Sequence, residues 1–296
     1  MDRPRAVANP LASPGPPFIM PAHMANHPSN RFSTQHGTTP VPIIVNGAAG
    51  RMGIRILTLA AAEPGLRIVA GVDKVVGRLR DLGIPSDAPL LVEMPVEKGA
   101  VVIDFSNHQG WKALTAHCAQ HHMALVSGTT GISPNELEEG ISLVMKAAPV
   151  LYAPNMSVGV NVVFRVAAQI ARTLGLDYDI EVVEAHHNQK VDAPSGTAFG
   201  ITDAICAATS RTRSDLRHGR QGQTGARAKG EIGVHALRMG DVVGDHTVYF
   251  VGNGERVMLS HVAHNRDIFV KGALRAAAFI GRQKPGRYTM EHVLGL

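Results

Sequence analysis

Two cysteines, Cys118 and Cys206, are all that the 296 residues carry. That is too few for a disulfide framework or a thiolate metal cluster, and it makes a reducing cytoplasm the default setting. Aromatic residues make up only 4% of the chain, with a single tryptophan. The positive excess is modest, 29 Lys plus Arg against 24 Asp plus Glu, and it is spread along the chain. Without a basic patch interleaved with aromatics, nucleic acid is a poor partner, and small acidic ligands suit the charge better. No apolar run reaches the roughly 18 residues that span a bilayer, so no membrane partner is expected. The continuous apolar core of a secretory signal is also lacking. What remains is an ordinary globular composition, 45% hydrophobic and 18% charged, in a chain long enough for two cores.

Residues 1–40 stand apart. They hold 8 of the 18 prolines and only Asp2, Arg3, Arg5 and Arg31 as charges, with almost no periodic apolar pattern. Such a stretch reads as a disordered extension or the product of an early start codon.

From residue 41 onward the pattern changes to strands alternating with helices. Residues 41–45 read as a buried strand that runs into a glycine turn, residues 47–53 (GAAGRMG), and then a helix to about residue 62. Strand, glycine turn and helix is the context of a dinucleotide fingerprint. Gly47 permits the tight turn, Gly50 lets backbone approach a pyrophosphate, and Gly53 allows close helix–strand packing. A second strand, residues 66–72, ends in Asp73 and Lys74, 20 residues beyond Gly53. An acid there suits the ribose hydroxyls of NAD, and the neighbouring cation suits the extra phosphate of NADP. Further strands are expected at 101–105, 123–127 and 150–153, with helices at 109–121 and 134–147 between them. Residues 133–136 (SPNE) form a capping box with proline at the first helical position. The alternation predicts a Rossmann-type, doubly wound parallel sheet.

The second half is α+β. Residues 158–174 form a long helical pattern that is apolar nearly all round, which predicts a well-buried helix. Residues 211–229 are rich in glycine and arginine and read as a mobile loop. Three strand-like runs, 232–237, 247–251 and 257–262, are separated by glycine turns and read as an antiparallel meander in an open sheet. A helix over 267–281 and a short tail close the chain.

The chemistry concentrates in residues 184–198 (EAHHNQKVDAPSGTA), between a strand-like run at 180–183 and a helix-like run at 197–208. His186 and His187 supply two imidazoles, the side chain suited to proton transfer at physiological pH, and Lys190 adds a cation. Ser195, Gly196 and Thr197 lie at a helix N-terminus that can receive a carboxylate or phosphate. Together they make a site for protonating an acidic substrate. No metal is required. His186, His187 and Asp192 offer ligating atoms, but adjacent histidines rarely face one ion.

With these stretches in place the sequence resembles the dihydrodipicolinate reductases, also called 4-hydroxy-tetrahydrodipicolinate reductases, over residues 41–296. The resemblance rests on residues 47–53, 104–106 (DFS), 128–131 (GTTG), 155–161 (NMSVGVN), 184–197 and 240–246 (GDVVGDH). It implies an NADH- or NADPH-dependent oxidoreductase of the diaminopimelate route to lysine. Hydride would pass to C4 of the dicarboxylate formed when the 4-hydroxy compound loses water. It also implies a cofactor domain of residues 41–156, an inserted substrate domain of residues 157–265, and residues 266–296 returning to the cofactor domain. A homotetramer joined through the substrate-domain sheets follows from the same likeness. By position, His186 and Lys190 are the catalytic pair, and His187, Gly196 and Thr197 hold the substrate. Cofactor contacts map to Gly47, Ala48, Ala49, Gly50, Arg51, Met52, Asp73, Lys74, Gly128, Thr129, Thr130, Ala153, Pro154, Asn155, Met156 and Arg266. Segment 75–99 is shorter than in many members, and the N-terminal extension has no assigned counterpart. Two rivals remain at this level, another two-domain amino-acid dehydrogenase and a non-catalytic NAD(P)-sensing protein.

Overall fold

The first strand, β1 (Val41–Asn46), sends alternate side chains into two different cores, as a strand covered on both faces must. Ile43 and Val45 join one apolar cluster, and Ile44 joins another on the opposite face. The computed structural model describes residues 39–296; the extension read from the sequence, apart from Thr39 and Pro40, lies outside the described residues.

Helix α1 (Arg51–Ala60) follows β1, then β2 (Leu66–Val72), the short β3 (Gly77–Arg78) and β4 (Pro89–Leu91), and β5 (Val101–Asp104). Next come α2 (Trp111–Gln120), β6 (Ala124–Ser127), α3 (Pro134–Val144) and β7 (Pro149–Tyr152). With β13 (Gly286–Tyr288) from the C-terminal end they form one sheet of order β13-β7-β6-β5-β1-β2-β4-β3. Its pairs are parallel except β3 with β4. Helix α1 supplies Ile56 and Leu57 to one face, while α2 and α3 supply Trp111, Leu114 and Ile141 to the other. This is the doubly wound sheet expected from the alternation.

The second sheet has the order β12-β11-β8-β10-β9, from β8 (Asp179–His186), β9 (Leu216–His218), β10 (Ile232–Arg238), β11 (Asp245–Val251) and β12 (Arg256–Val262). Helices α4 (Val158–Leu174) and α5 (Gly196–Ala208) cover one face, packing Val163, Ala167, Ile201 and Ile205 on Ile180, Val182, Val234 and Phe250. Helix α6 (Asp267–Ile280) then returns to the first sheet, and a last turn of helix, α7 (Met290–Leu294), ends the chain. Asp267 forks onto Arg55 of α1 at 2.7 and 2.6 Å. Gly272 of α6 sits so near Met156 that a Cβ there would stand 1.7 Å from the Met156 carbonyl oxygen. That close approach is what lets α6 seal the first core.

Four expectations need correction. The three strands after residue 230 are not a meander. Strand β8 lies between β10 and β11, parallel to the first and antiparallel to the second. The chain between β10 and β11 therefore passes over the end of β8, where Met239 N–H donates to the His186 carbonyl at 2.8 Å. Helix α4 is one-sided rather than buried all round. Val160, Val163, Ala167 and Ala171 face the core, while Arg165, Gln169 and Arg172 are exposed, because only one flank meets the sheet and α5. Residues 211–229 are anchored rather than a free loop. They contain β9, and Arg220 and Arg227 reach Glu181 at 2.8 and 3.2 Å. The C-terminal tail supplies a strand and a helix, since β13 pairs in parallel with β7. Segment 75–99 carries β3 and β4, which are too short to leave a periodic signal.

Candidate active site

The carboxyl ends of β1, β2, β5, β6 and β7 form one edge of the first sheet, the edge where open α/β folds receive ligands. Gly47 turns the chain there with φ +80°, a conformation glycine takes without strain. A Cβ on Gly53 would lie 2.1 Å from the Gly47 carbonyl oxygen, so the helix starts tight against the turn. Gly50 caps α1 without a side chain, leaving backbone N–H groups of Arg51 and Met52 facing the edge. Asp73 accepts from Ala49 N–H at 2.8 Å and from Lys74 N–H at 2.7 Å, which holds its carboxylate beside the glycine turn. Lys74 itself is exposed. A glycine turn, an open helix start and a fixed acid fit a dinucleotide.

Asp104, buried at the end of β5, organises this edge. It accepts from Asn46 Nδ2 at 2.9 Å, Ser106 Oγ at 2.6 Å, Ser127 Oγ at 2.8 Å and Thr129 Oγ1 at 2.8 Å. Thr129 Oγ1 also accepts from Ser106 N–H at 3.0 Å, so its hydroxyl is committed to the scaffold. Gly128 lies against the Phe105 ring, and Thr130 is exposed. Ala153 is tied to β6 through the Ser127 carbonyl at 3.1 Å, and Pro154 is exposed. Met156 packs in the first core, which leaves its backbone rather than its side chain for a ligand. Arg266 precedes α6 on the surface, away from the glycine turn in sequence. Asn155 does something the sequence did not indicate. Its Nδ2 donates to Thr197 Oγ1 at 2.9 Å, joining a residue read as cofactor-side to one read as substrate-side.

His186 ends β8 and is buried with Glu184, its neighbour on the same face of the strand. Nδ1 of His186 meets Glu184 Oε2 at 2.5 Å. Arg238, the last residue of β10, forks onto both Glu184 oxygens at 3.0 Å each, and Ser195 N–H donates to Oε1 at 3.0 Å. Burial pushes the Glu184 carboxyl up, but the hydrogen bonds from Arg238 and His186, the charge of His186 and the Ser195 N–H outweigh it and hold it below the usual range. Ser195 caps α5 by accepting from Ala198 N–H, and its Oγ lies 3.2 Å from His246 Nε2. Gly196 beside it is exposed, with open space where a side chain would stand. Lys190 Nζ is paired with Asp192 Oδ1 at 2.8 Å, so the cation is not free. The same contact lowers the Asp192 carboxyl. His187 is half-buried and its carbonyl accepts from Lys190 N–H at 3.1 Å.

Compared with known proteins, residues 41–156 match the model described as dihydrodipicolinate reductase, N-terminus, and residues 159–294 match dihydrodipicolinate reductase, C-terminus. The chain belongs to the dihydrodipicolinate reductase family. A 4-hydroxy-tetrahydrodipicolinate reductase of Myxococcus xanthus is 44% identical over 263 residues, covering 85% of this chain and 97% of the relative. One from Syntrophus aciditrophicus is 41% identical over 266 residues, covering 85% and 97%. Among solved structures, a dipicolinate-bound dihydrodipicolinate reductase from Paenisporosarcina sp. shares the fold with a TM-score of 0.67 at 22% identity, covering 85% of this chain and 98% of that one. A myo-inositol dehydrogenase from Corynebacterium glutamicum also shares it, at TM-score 0.54 and 13% identity, covering 84% and 90%. The fold is therefore common to several dehydrogenases, and the family follows from sequence.

Sequence reasoning passed over Glu184, Arg238 and His246 as functional residues of this family member. A signal existed for Glu184, because it falls in phase with Ile180 and Val182 on the buried face of β8. A carboxylate in that phase requires partners.

His246 yields a pH prediction. Burial, then the charge of His186, pushes it from 6.5 down to about 4. Between these values the unfolded chain binds a proton that the folded chain refuses. Stability is thus complete above pH 6.5 and is lost as pH falls through about 4. Urea unfolding of the wild type is expected to lose about 1–3 kcal/mol from this group over that window. His246→Gln should show a flatter pH dependence, and an unchanged slope would contradict the assignment.

Proposed function

We propose that this chain reduces 4-hydroxy-tetrahydrodipicolinate, by way of dihydrodipicolinate, to tetrahydrodipicolinate in the diaminopimelate route to lysine. The observation that carries the reading is 41–44% identity to curated 4-hydroxy-tetrahydrodipicolinate reductases over nearly their whole length. NADH or NADPH, when bound, supplies the hydride that reaches C4 of the substrate. The chain's own residues do the rest. Backbone from Gly47 through Met52 receives the pyrophosphate at the start of α1, Asp73 takes ribose hydroxyls, and Gly128 to Thr130 with Ala153 to Met156 border the cofactor along the sheet edge. Arg266, which precedes α6, is the last residue of this set.

Lys190 exchanges Asp192 for a substrate carboxylate, with His187 and the N–H groups of Gly196 and Thr197 holding the dicarboxylate in place. Because Nδ1 of His186 faces Glu184, the proton that His186 delivers to the reduced ring leaves from Nε2. General acid help of this kind is worth about 10²–10⁴ in rate. The reading extends to a cytoplasmic homotetramer. Free Cys118 and Cys206 accord with a reducing compartment. The face of the second sheet away from α4 and α5 leaves Leu237, Met258 and Val262 46%, 50% and 52% exposed, as an interface between copies requires.

Three measurements test these statements. In a 340 nm assay with the product of dihydrodipicolinate synthase, His186→Gln and Lys190→Ala should each lower kcat by about 10²-fold or more, while NAD(P)H still binds. Lys190→Ala should also raise KM. Near-wild-type turnover in both variants would remove the site assignment. For the cofactor, both forms should serve with affinities within about tenfold, or ~1.4 kcal/mol. Asp73→Ala should shift preference toward NADPH and Lys74→Ala toward NADH. If Lys74→Ala leaves the ratio of the two kcat/KM values untouched, the phosphate is held by another group. Light scattering of the purified chain should read the mass of four copies, and a monomer mass would reject the assembly.

A further inference from the structure

Glu184 is fully buried, with 0% exposure, and its carboxylate accepts from the Ser195 N–H and twice from Arg238 while lying against Nδ1 of His186. Two of them come from one guanidinium. Arg238 reaches Glu184 because β10 runs parallel to β8 in a register that sets Arg238 opposite His186, one strand away and on the same face. A third contact of the same side chain goes elsewhere. Arg238 Nη2 also donates to the backbone carbonyl of Asp192 at 2.6 Å. Asp192 is the residue whose carboxylate holds Lys190 Nζ at 2.8 Å. One planar cation therefore touches the supports of both residues assigned to the chemistry.

We infer that Arg238 is a positioning residue for the reaction: through Glu184 it fixes which nitrogen of His186 faces the substrate, and through the Asp192 carbonyl it fixes the loop that carries Lys190. The inference rests on the reading of His186 and Lys190 given above and adds a residue that none of the sequence motifs assigned. The donor accounting is strict. With Arg238 and the Ser195 N–H on its two oxygens, Glu184 stays ionised and can only accept. Nδ1 of His186 must then carry a hydrogen, which directs the reactive lone pair or proton to Nε2. Lysine at 238 has no fork with which to meet two carboxylate oxygens and a carbonyl at once, so charge alone does not substitute for shape. Ser195 N–H, held on Glu184, also keeps the start of α5 beside His186.

The test uses the full chain with ¹⁵N-labelled histidine and the variants Arg238→Ala, Arg238→Lys and Glu184→Gln. A downfield Nδ1–H proton signal, assigned to His186 by its loss in His186→Gln, is expected in the wild type. It should vanish or move upfield in Glu184→Gln and move in Arg238→Ala. Turnover of Arg238→Ala should fall about 10- to 100-fold, by analogy with outer-shell groups that orient a metal-bound histidine. Cofactor affinity, read by NAD(P)H fluorescence, should stay close to wild type. Arg238→Lys should recover melting temperature without recovering turnover, whereas added guanidinium should restore part of the turnover of Arg238→Ala. An unmoved Nδ1–H signal in Arg238→Ala, or a turnover loss no larger than its unfolded fraction, overturns the inference. If the wild type fails to reduce the substrate, the proposed reaction falls. The proton signal still decides whether Arg238 and Glu184 set the His186 tautomer, so the two failures are distinguishable.

Discussion

A carboxylate removed from water needs donors, and the two sheets of this protein each end on one that is fully supplied. Asp104 closes the edge of the first sheet by drawing Asn46, Ser106, Ser127 and Thr129 onto a single group. Glu184 does the same in the second sheet with His186, Ser195 and Arg238. An unpaired charge in either place would cost several kcal/mol, so the surrounding strand ends have little freedom to move apart. The satisfied acids tie together the strand ends that surround them.

The bond between Asn155 and Thr197 brings the two edges together. The Asn155 side chain is itself oriented, since its Oδ1 accepts from Ser157 N–H at 2.9 Å while Asn161 Nδ2 donates to its carbonyl at 3.1 Å. Donation from Asn155 occupies the Thr197 oxygen as an acceptor and leaves its hydroxyl hydrogen for another partner. The link between α1 and α6 is of a different kind, an exposed Arg55–Asp267 pair over a shared apolar cluster that includes Ile56, Val270 and Leu274. Exposed pairs contribute little by themselves, so that apolar packing carries more of the contact.

A doubly wound sheet followed by a second, mixed sheet recurs in a myo-inositol dehydrogenase as well as in a dihydrodipicolinate reductase. The layers alone leave the substrate open. Membership of the dihydrodipicolinate reductase family rests instead on sequence, through the family models that match residues 41–156 and 159–294. Its members in Myxococcus xanthus and Syntrophus aciditrophicus match this chain across 97% of their own lengths. Neither rival reading, another amino-acid dehydrogenase or a silent cofactor sensor, gains support from those comparisons.

Local chemistry determined much of this protein from sequence alone. The strands β1, β2 and β5 are marked by their own apolar runs, and the glycine turn at Gly47 and the capped start of α3 at Ser133 depend on contacts within a few residues, so composition and spacing express both directly. The same holds for His186 at the end of β8 and for His187 and Lys190 in the loop after it. Tertiary structure alone decided what those groups face. Strand β8 inserts between β10 and β11 through pairings across some fifty residues of chain, as in Arg238 opposite His186, and hydrophobic alternation is the same for either neighbour. Lys190 lies against Asp192 and Thr129 spends its hydroxyl on Asp104, because hydrogen bonds are assigned by three-dimensional proximity and not by residue type. The short β3, β4 and β9 form only because a neighbouring strand completes their hydrogen bonds, and no periodicity in so few residues can announce that.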